Sequence, residues 1–327
     1  MIQRIGVIGG GAWGTALAQV CAAGGETLLW AREPEVVESV NSRHVNEAFL
    51  PDTTLHRTIT ATGELGDLES CDALLVVTPA QHMRAVLAAL PFAGKPLVLC
   101  AKGIEGSSGR LMHEVARDEQ PGSPCAILSG PTFAEEVAAG LPAALTLAVE
   151  DKALGEPLCA RLARPTFRLY LSSDVIGTQI GGAVKNVLAI ACGVVEGRGF
   201  GQNARAALIS RGFAEMARFG LARGARAETL AGLSGLGDLV LTCSSASSRN
   251  FSLGKGLGEG RKAAELLADR KTVAEGAFTA PVLKRAAEAA GVDMPIVAAV
   301  CALLADDVSV GEVVESLLAR PLRSEGV

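Results

Sequence analysis

Short apolar runs of the kind that form buried strands recur through the first half of the chain. They lie at residues 5–8, 27–30, 73–77, 97–100, 126–128, 144–149 and 167–171. Several are separated by stretches with helical character, such as 15–23 and 83–90. Strands that alternate with helices need crossover connections, so the pattern predicts a mainly parallel sheet with helices on both faces.

The pattern changes after Ser172. From Asp174 onward apolar residues recur at helical spacing, with glycine-rich breaks near 197–201 and 232–237. The chain of 327 residues is also longer than one hydrophobic core usually supports. We therefore predict an α/β domain at residues 1–173 and an all-helical domain at residues 174–327.

Composition and charge narrow the class of protein. Hydrophobic residues make up 49% of the chain and charged residues 20%, which is typical of a packed globular protein. The 30 Lys+Arg residues against 35 Asp+Glu give a formal charge of -5, so no global positive field favours nucleic acid. The apolar runs are shorter than a membrane span requires. We expect a soluble protein with no nucleic-acid partner and no stable membrane insertion.

The N-terminus and the cysteines indicate where the protein acts. The apolar run from Arg4 to Ala23 has the outline of a secretory signal, but its many glycines would break the helix of such a segment. The eight cysteines include no C-x-x-C pair and lie mostly among apolar neighbours. That usage is typical of free thiols in a reducing compartment, so we expect a cytoplasmic protein.

A glycine-rich turn follows the first predicted strand. Residues 9–14 read GGGAWG and lead into an Ala/Leu-rich helix. In this context Gly9 permits a tight turn, Gly11 lets the backbone approach a pyrophosphate, and Gly14 lets helix and strand pack closely. Ala12 and Trp13 complete the turn at the helix N-terminus, which favours anions. The motif predicts a Rossmann-type domain that binds a dinucleotide.

The end of the second predicted strand bears on which dinucleotide binds. An acidic residue at this place normally holds the 2′-hydroxyl of the adenine ribose. Here the chain has Arg32 followed by Glu33. Arg32 would pair with a 2′-phosphate and favours NADP(H), while Glu33 keeps NAD(H) open, and a solvated arginine is the third interpretation.

Two further strand ends carry candidate site residues, since open α/β sheets bind ligands at the carboxyl ends of their strands. Lys102 follows the run at 97–100, and the segment from Ser129 to Ala134 follows the run at 126–128. In the second half, Lys185 lies among Gly, Ala and Val within a helix predicted at 174–195. A lysine there is unfavourable unless it has a partner or a role.

Other chemistries find little support. The four histidines have no metal-ligand spacing and lie in the first half, so we predict no metal site. No G-x-S-x-G elbow is present either.

Together these segments resemble the NAD(P)-dependent glycerol-3-phosphate dehydrogenase family over nearly the whole chain. The motifs that carry the resemblance are GGGAWGTALA at 9–18, AKGI at 101–104, SGPTFAEE at 129–136, GGAVKN at 181–186, GLGDL at 235–239 and SRN at 248–250. The last three, at these spacings, are highly specific. The resemblance implies interconversion of dihydroxyacetone phosphate and sn-glycerol 3-phosphate with NADP(H) or NAD(H), feeding glycerophospholipid synthesis.

The resemblance also assigns the reacting groups. It makes Lys185 the general acid and base, and burial beside Lys102 would bring its pKa toward neutrality. Asp238 would restrain that shift and orient the ammonium group. Asn186 and Thr242 would supply neutral hydrogen bonds to substrate oxygens.

The remaining site residues follow from the same resemblance. The substrate contacts are Lys102, Gly130, Thr132, Ser248, Arg249 and Asn250, of which the arginine and its asparagine neighbour hold the phosphate. The cofactor contacts outside the glycine turn are Arg32, Lys102, Ala134, Arg249, Val273 and Glu275.

The chain departs from the family pattern in places. Phe251 stands where basic or polar residues are common, and Arg198 lies in the glycine-rich stretch 194–203, either solvated or facing the active cleft. Two rival interpretations are another two-domain β-hydroxyacid-type dehydrogenase and a non-catalytic NAD(P)-binding redox sensor. A β-hydroxyacid-type dehydrogenase would lack the combination of GLGDL and SRN. A redox sensor would lack the proton donor, whereas Lys185 and Lys102 are both present. A homodimer is expected from the frequency of two-fold assemblies alone.

Overall fold

The computed structural model describes residues 2–268 and 274–319. The chain folds into two compact units. Unit 1 comprises Met1–Ala101 and Leu111–Val175, and unit 2 comprises Lys102–Arg110 and the chain from Ile176 onward. Relative to the expected domains at 1–173 and 174–327, the segment Lys102–Arg110 belongs with the helical unit.

Unit 1 is built on one eight-stranded sheet with the order β3-β2-β1-β4-β5-β6-β7-β8. All neighbouring pairs are parallel except β6 with β7, which confirms the prediction of a mainly parallel sheet. The strands are β1 Ile5–Ile8, β2 Thr27–Trp30, β3 Ile59–Thr62, β4 Ala73–Val76, β5 Leu97–Leu99, β6 Cys125–Ser129, β7 Ala143–Val149 and β8 Phe167–Ser172. Strand β3, with its two threonines at the sheet edge, was not predicted.

Helices cover both faces of this sheet. Successive strand residues point to opposite faces, so Val7 and Leu75 belong to one core cluster while Ile8 and Leu74 belong to the other. The central strands are buried on both sides, which is why their sequences are continuously apolar. The helices of unit 1 are α1 Ala12–Ala22, α2 Pro34–Arg43, α3 Met83–Ala88, α4 Met112–Glu119, α5 Ala134–Ala138 and α6 Lys152–Leu162.

From residue 176 onward the regular structure of unit 2 is helical in the part of the chain that is described, as predicted. The helices are α7 Val175–Gly197, α8 Gly201–Ala222, α9 Ala227–Leu230, α10 Asp238–Cys243, α11 Arg249–Gly258, α12 Ala263–Leu266, α13 Glu275–Ala289, α14 Pro295–Leu304 and α15 Val310–Leu318. A short π-helical turn, Leu233–Gly237, leads directly into α10.

Helix α7 is the core helix of unit 2. It is long and apolar enough to cross a membrane by composition, but 89% of its most apolar window is buried inside the structure. Lys185 and Asn186 lie near its middle and are both buried. Its position therefore determines where these two polar side chains lie.

Glycines let α7 approach its neighbours at backbone distance. A Cβ atom at Gly254 of α11 would lie 1.9 Å from the carbonyl oxygen of Ile190, and one at Gly193 would lie 2.0 Å from that of Phe251. Nearer the start of α7, a Cβ at Gly181 would lie 2.3 Å from the carbonyl oxygen of Ser234. These contacts hold α7 against both α11 and the turn before α10.

The change Gly254→Ala should destabilise the protein by about 1–3 kcal/mol or more, because the added methyl group overpacks a close backbone contact. Gly311→Ala in α15 is the matched control, since the nearest atom to its Cβ would be 3.7 Å away. The control should be neutral or gain up to about 1 kcal/mol from helix propensity. Urea unfolding of both variants measures the difference, and equal stability would contradict the backbone contact.

Candidate functional site

The carboxylate of Asp238 is the centre of a buried charged cluster in unit 2. It stands at the first position of α10 and has 0% exposure. Its Oδ1 accepts a hydrogen bond from Lys185 Nζ at 2.7 Å, and its Oδ2 accepts one from Lys102 Nζ at 2.6 Å. We call Lys102, Lys185, Asp238 and Thr242 the lysine–aspartate cluster.

Lys185 has the altered acidity that a proton-transfer group needs. Its side chain is 8% exposed. Burial lowers its pKa to about 8; Asp238 opposes this shift, and the positive charge of Lys102 adds to it. The group therefore changes its protonation state at a pH near 8.

Thr242 lies one helical turn beyond Asp238 and orients the ammonium group of Lys185. Its Oγ1 accepts a hydrogen bond from Lys185 Nζ at 2.8 Å and donates one to the backbone carbonyl of Asp238 at 2.7 Å. Two of the three N–H bonds of Lys185 are thereby directed to fixed acceptors among the described residues. The third can donate to a ligand.

A second set of polar groups, formed by side-chain amides, adjoins the cluster. The backbone N–H of Gly276 donates to Asn250 Oδ1 at 2.9 Å, and Asn250 Nδ2 donates to Asn186 Oδ1 at 3.0 Å. Asn186 Nδ2 then donates to the carbonyl oxygen of Lys102 at 3.4 Å. This chain of bonds connects the start of α13, α11, α7 and the segment that carries Lys102.

The N-terminus of α11 carries the predicted phosphate residues. Ser248 is the N-cap, as predicted, and its hydroxyl oxygen accepts from the N–H of Phe251 at 3.2 Å. Arg249 at the first helical position is exposed, whereas Ser248 and Asn250 are buried. An exposed guanidinium beside a helix N-terminus is a suitable anion site.

Three other residues singled out in the sequence belong to this unit. Glu275 begins α13 and is half-buried, next to the Gly276 that bonds Asn250. Phe251 is 3% exposed and packs into the core beside Gly193. Arg198 follows α7 and is exposed. Val273 lies outside the described residues.

In unit 1 the glycine turn has the geometry that a dinucleotide needs. Gly9 has a φ of 127°, which a residue with a side chain rarely adopts, and a Cβ at Gly14 would lie 1.8 Å from the carbonyl oxygen of Gly9. At Gly11, in contrast, a Cβ would meet open space, with no atom of a non-adjacent described residue within 4 Å. Open space thus lies where the pyrophosphate of NAD(P) would approach the backbone, so these residues fit that cofactor.

Asn46 braces this turn and was missed by sequence reasoning. It is 0% exposed, and its Nδ2 donates to the carbonyl oxygen of Gly10 at 2.7 Å and to Thr15 Oγ1 at 2.8 Å. Asn46 stands between α2 and β3, in a stretch with no periodic pattern, so only its distant contacts reveal its role.

The other predicted cofactor residues of unit 1 lie at strand ends. Arg32 follows β2, is 79% exposed at its side chain and pairs with Glu33 Oε1 at 2.9 Å. Trp13 in the first turn of α1 and Ala134 at the start of α5 are both half-buried against the core. These positions agree with a cofactor that binds at the carboxyl edge of the sheet.

The segment after β6 carries the two predicted substrate contacts of unit 1. Gly130 lies against β7, where a Cβ would be 2.8 Å from Leu145 Cα. Thr132 is half-buried, and its Oγ1 donates to the carbonyl oxygen of Gly130 at 3.4 Å. The predicted reacting groups that contact one another directly, Lys102, Lys185, Asp238 and Thr242, all belong to unit 2.

Both halves of the chain match models of one protein family. A family model described as NAD-dependent glycerol-3-phosphate dehydrogenase N-terminus matches residues 4–155, and the model for the C-terminus matches residues 174–315. The glycerol-3-phosphate dehydrogenase (NAD(P)+) of Erythrobacter litoralis is 65% identical over 99% of this chain and 98% of its own length. Glycerol-3-phosphate dehydrogenase (NAD(P)+) 1 of Sphingopyxis alaskensis is 60% identical over 99% of this chain and 98% of its own length.

A solved structure gives the same result. The crystal structure of glycerol-3-phosphate dehydrogenase from Coxiella burnetii matches with a TM-score of 0.93 and 38% identity, covering 98% of this chain and 99% of that one. The family resemblance read from the motifs is confirmed, and these matches do not favour a hydroxyacid dehydrogenase or a redox sensor. The chain belongs to the family of NAD-dependent glycerol-3-phosphate dehydrogenases.

Proposed function

We propose that this protein interconverts dihydroxyacetone phosphate and sn-glycerol 3-phosphate by hydride transfer with NAD(P)H, with Lys185 as the proton donor and acceptor. The observation that carries the proposal is the bond from Lys185 Nζ to the fully buried Asp238, whose other oxygen holds Lys102. The product would feed glycerophospholipid synthesis.

The proton transfer follows from the state of Lys185. In the direction of reduction, bound NAD(P)H supplies a hydride to C2 of the ketone, and negative charge develops on the C2 oxygen. The ammonium group of Lys185 donates its remaining N–H to that oxygen and becomes a neutral amine, which solvent reprotonates. In the reverse direction the neutral amine accepts the proton of the C2 hydroxyl.

The ammonium groups of the lysine–aspartate cluster stabilise the developing oxyanion. Lys102 and Lys185 carry two positive charges against the single negative charge of Asp238. Both ammonium groups lie in a buried site, where their attraction for an oxyanion is much stronger than in water. Asn186, bonded to Lys102 and Asn250, is positioned to bind a neutral substrate oxygen.

We assign the substrate phosphate to the N-terminus of α11. Exposed Arg249 offers a planar fork for bidentate binding, and the helix start offers backbone N–H groups that the cap of Ser248 leaves unbonded. Asn250 belongs to the same site, and Gly130 and Thr132 are proposed as further substrate contacts. Glu275, Val273 and Ala134 remain proposals for the cofactor.

The proposal includes the coenzyme preference, the cellular location and the oligomeric state. Exposed Arg32 favours the 2′-phosphate of NADP(H), and its pairing with Glu33 leaves room for NAD(H). All eight cysteines are free thiols, which supports a cytoplasmic location. A homodimer rests on the general frequency of two-fold assemblies.

Removing the phosphate from the substrate and removing Arg249 from the enzyme should both lower the rate of ketone reduction. Wild-type enzyme should oxidise NADPH or NADH with dihydroxyacetone phosphate and turn over unphosphorylated dihydroxyacetone far more slowly. Arg249→Ala should lower kcat/KM for the phosphorylated ketone by about 10–100-fold, mainly through KM, because a charge-assisted bidentate contact is lost. The absorbance of reduced nicotinamide measures the rates of both enzymes with both ketones.

At saturating NADPH, Arg249→Ala should leave the slow rate with dihydroxyacetone unchanged, because that substrate has no phosphate to lose. Arg211→Ala, at an exposed arginine of α8, is the control for removing a surface charge and should behave as wild type. Equal turnover of the two ketones by the wild-type enzyme would contradict the assigned substrate.

The pH dependence should follow the protonation of Lys185. Reduction needs the ammonium form, so kcat/KM should be level below pH 8 and fall above the pKa of about 8, while oxidation should show the opposite dependence. Lys185→Ala should lower kcat by roughly 10²–10⁴-fold at all pH values with NADPH affinity nearly unchanged. Lys152→Ala, at a side chain that is 83% exposed, is the control. Near-normal turnover by Lys185→Ala would remove the lysine from the mechanism.

A further inference from the structure

One buried hydroxyl group near the glycine turn has no hydrogen-bond partner. Thr78 is 5% exposed, and its Oγ1 is buried without a partner among the described residues. Nearly all buried polar side-chain atoms in proteins are hydrogen-bonded, because leaving one unbonded is unfavourable. An isolated hydroxyl in a native fold therefore needs an explanation, and beside a ligand site a bond formed in the complex is one.

Thr78 lies next to the turn that fits the cofactor pyrophosphate. It comes two residues after β4, which pairs with β1 along its whole length. The backbone N–H of Val77 donates to the carbonyl oxygen of Ile8 at 2.9 Å, which continues the pairing up to the turn. A Cβ at Gly9 would lie 3.3 Å from the backbone nitrogen of Thr78, so the two residues are direct neighbours.

The sheet topology makes this place a ligand site on independent grounds. Strands β2 and β3 extend from one side of β1, and β4 begins the other half of the sheet. The order of the strands reverses between β1 and β4, and open α/β sheets bind dinucleotides outside the carboxyl ends of the strands at such a reversal. Gly9 follows one of these two strand ends and Thr78 follows the other.

We propose that Thr78 is a cofactor-binding residue whose hydroxyl donates a hydrogen bond to a phosphate or ribose oxygen of bound NAD(P). The inference rests on the glycine turn as the cofactor site. Without cofactor the hydroxyl is desolvated and unbonded; with cofactor it gains its bond, so the residue weakens the free protein and strengthens the complex.

The hydroxyl should thus have opposite effects on the stability of the free protein and on cofactor affinity. A threonine with a purely structural role would not show this combination. Thr78→Val keeps the shape of the side chain and removes the hydroxyl. It should raise the melting temperature of the cofactor-free protein by about 2–4 °C, because an unbonded buried polar atom is lost. It should weaken NADPH binding about tenfold, measured as the Kd in a fluorescence titration, and reduce the rise in melting temperature that NADPH produces.

Two further variants complete the experiment. Thr78→Ser retains the hydroxyl and should bind NADPH within about twofold of wild type. Thr27→Val makes the same exchange at a buried threonine of the same sheet, at the amino end of β2, where the hydroxyl donates to the carbonyl oxygen of Gly25 at 3.4 Å. It should leave the Kd for NADPH unchanged.

Wild-type affinity for NADPH in Thr78→Val would overturn the proposal. Equal weakening in the Val and Ser variants would also overturn it, because Ser retains the hydroxyl and should therefore bind normally. Because the readout is cofactor binding, it is separate from the ketone assay. A wild-type protein that binds NADPH but does not reduce dihydroxyacetone phosphate would overturn the proposed substrate and leave this inference intact.

Discussion

The single carboxylate of Asp238 holds two ammonium groups in a place from which water is largely excluded. Each oxygen accepts from one lysine, Lys185 at 2.7 Å and Lys102 at 2.6 Å. Breaking a buried ion pair by removing one partner typically costs about 3–5 kcal/mol, so the three groups depend on one another. Burial lowers the pKa of Lys185 to about 8, while the charge of Asp238 opposes this shift and that of Lys102 adds to it. The proposed proton transfer and anion stabilisation both depend on these interactions.

The backbone contacts of α7 bring these charges together. Glycines at its two ends allow main-chain contact with α11 and with the turn before α10, as at Gly193 and Gly181. Lys185 lies between these contacts, facing the helix that starts at Asp238. The same contact with α11 sets the place of Asn250, which bonds Asn186 of α7. A methyl group at one of these glycines would therefore displace the polar groups as well as the helices.

Features with a local cause could be predicted from the sequence. The turn at Gly9 needs a positive φ, the cap at Ser248 needs a hydroxyl, and the buried strands need continuous apolar runs, so each left a pattern in neighbouring residues. The roles proposed for Lys185 and its partners came from the family resemblance. Strand β3 was missed because its threonines at the sheet edge give no apolar run.

Features that depend on distant contacts could not be predicted. Asn46 braces Gly10 from 36 positions away, and nothing near it in the chain indicates that role. The unbonded hydroxyl of Thr78 becomes visible only when every neighbour is placed. The assignment of Lys102 to the helical unit likewise depends on contacts with residues more than 80 positions later.

The most direct test of the charge balance is the pH dependence of kcat/KM for reduction in Asp238→Asn and in the wild type. The substitution keeps the shape of the side chain and removes the charge that raises the pKa of Lys185 against the effect of burial. We predict that the fall in rate, centred near pH 8 in the wild type, moves to lower pH by about one unit or more. A fall that stays at the same pH in the variant would show that Asp238 does not set the acidity of Lys185.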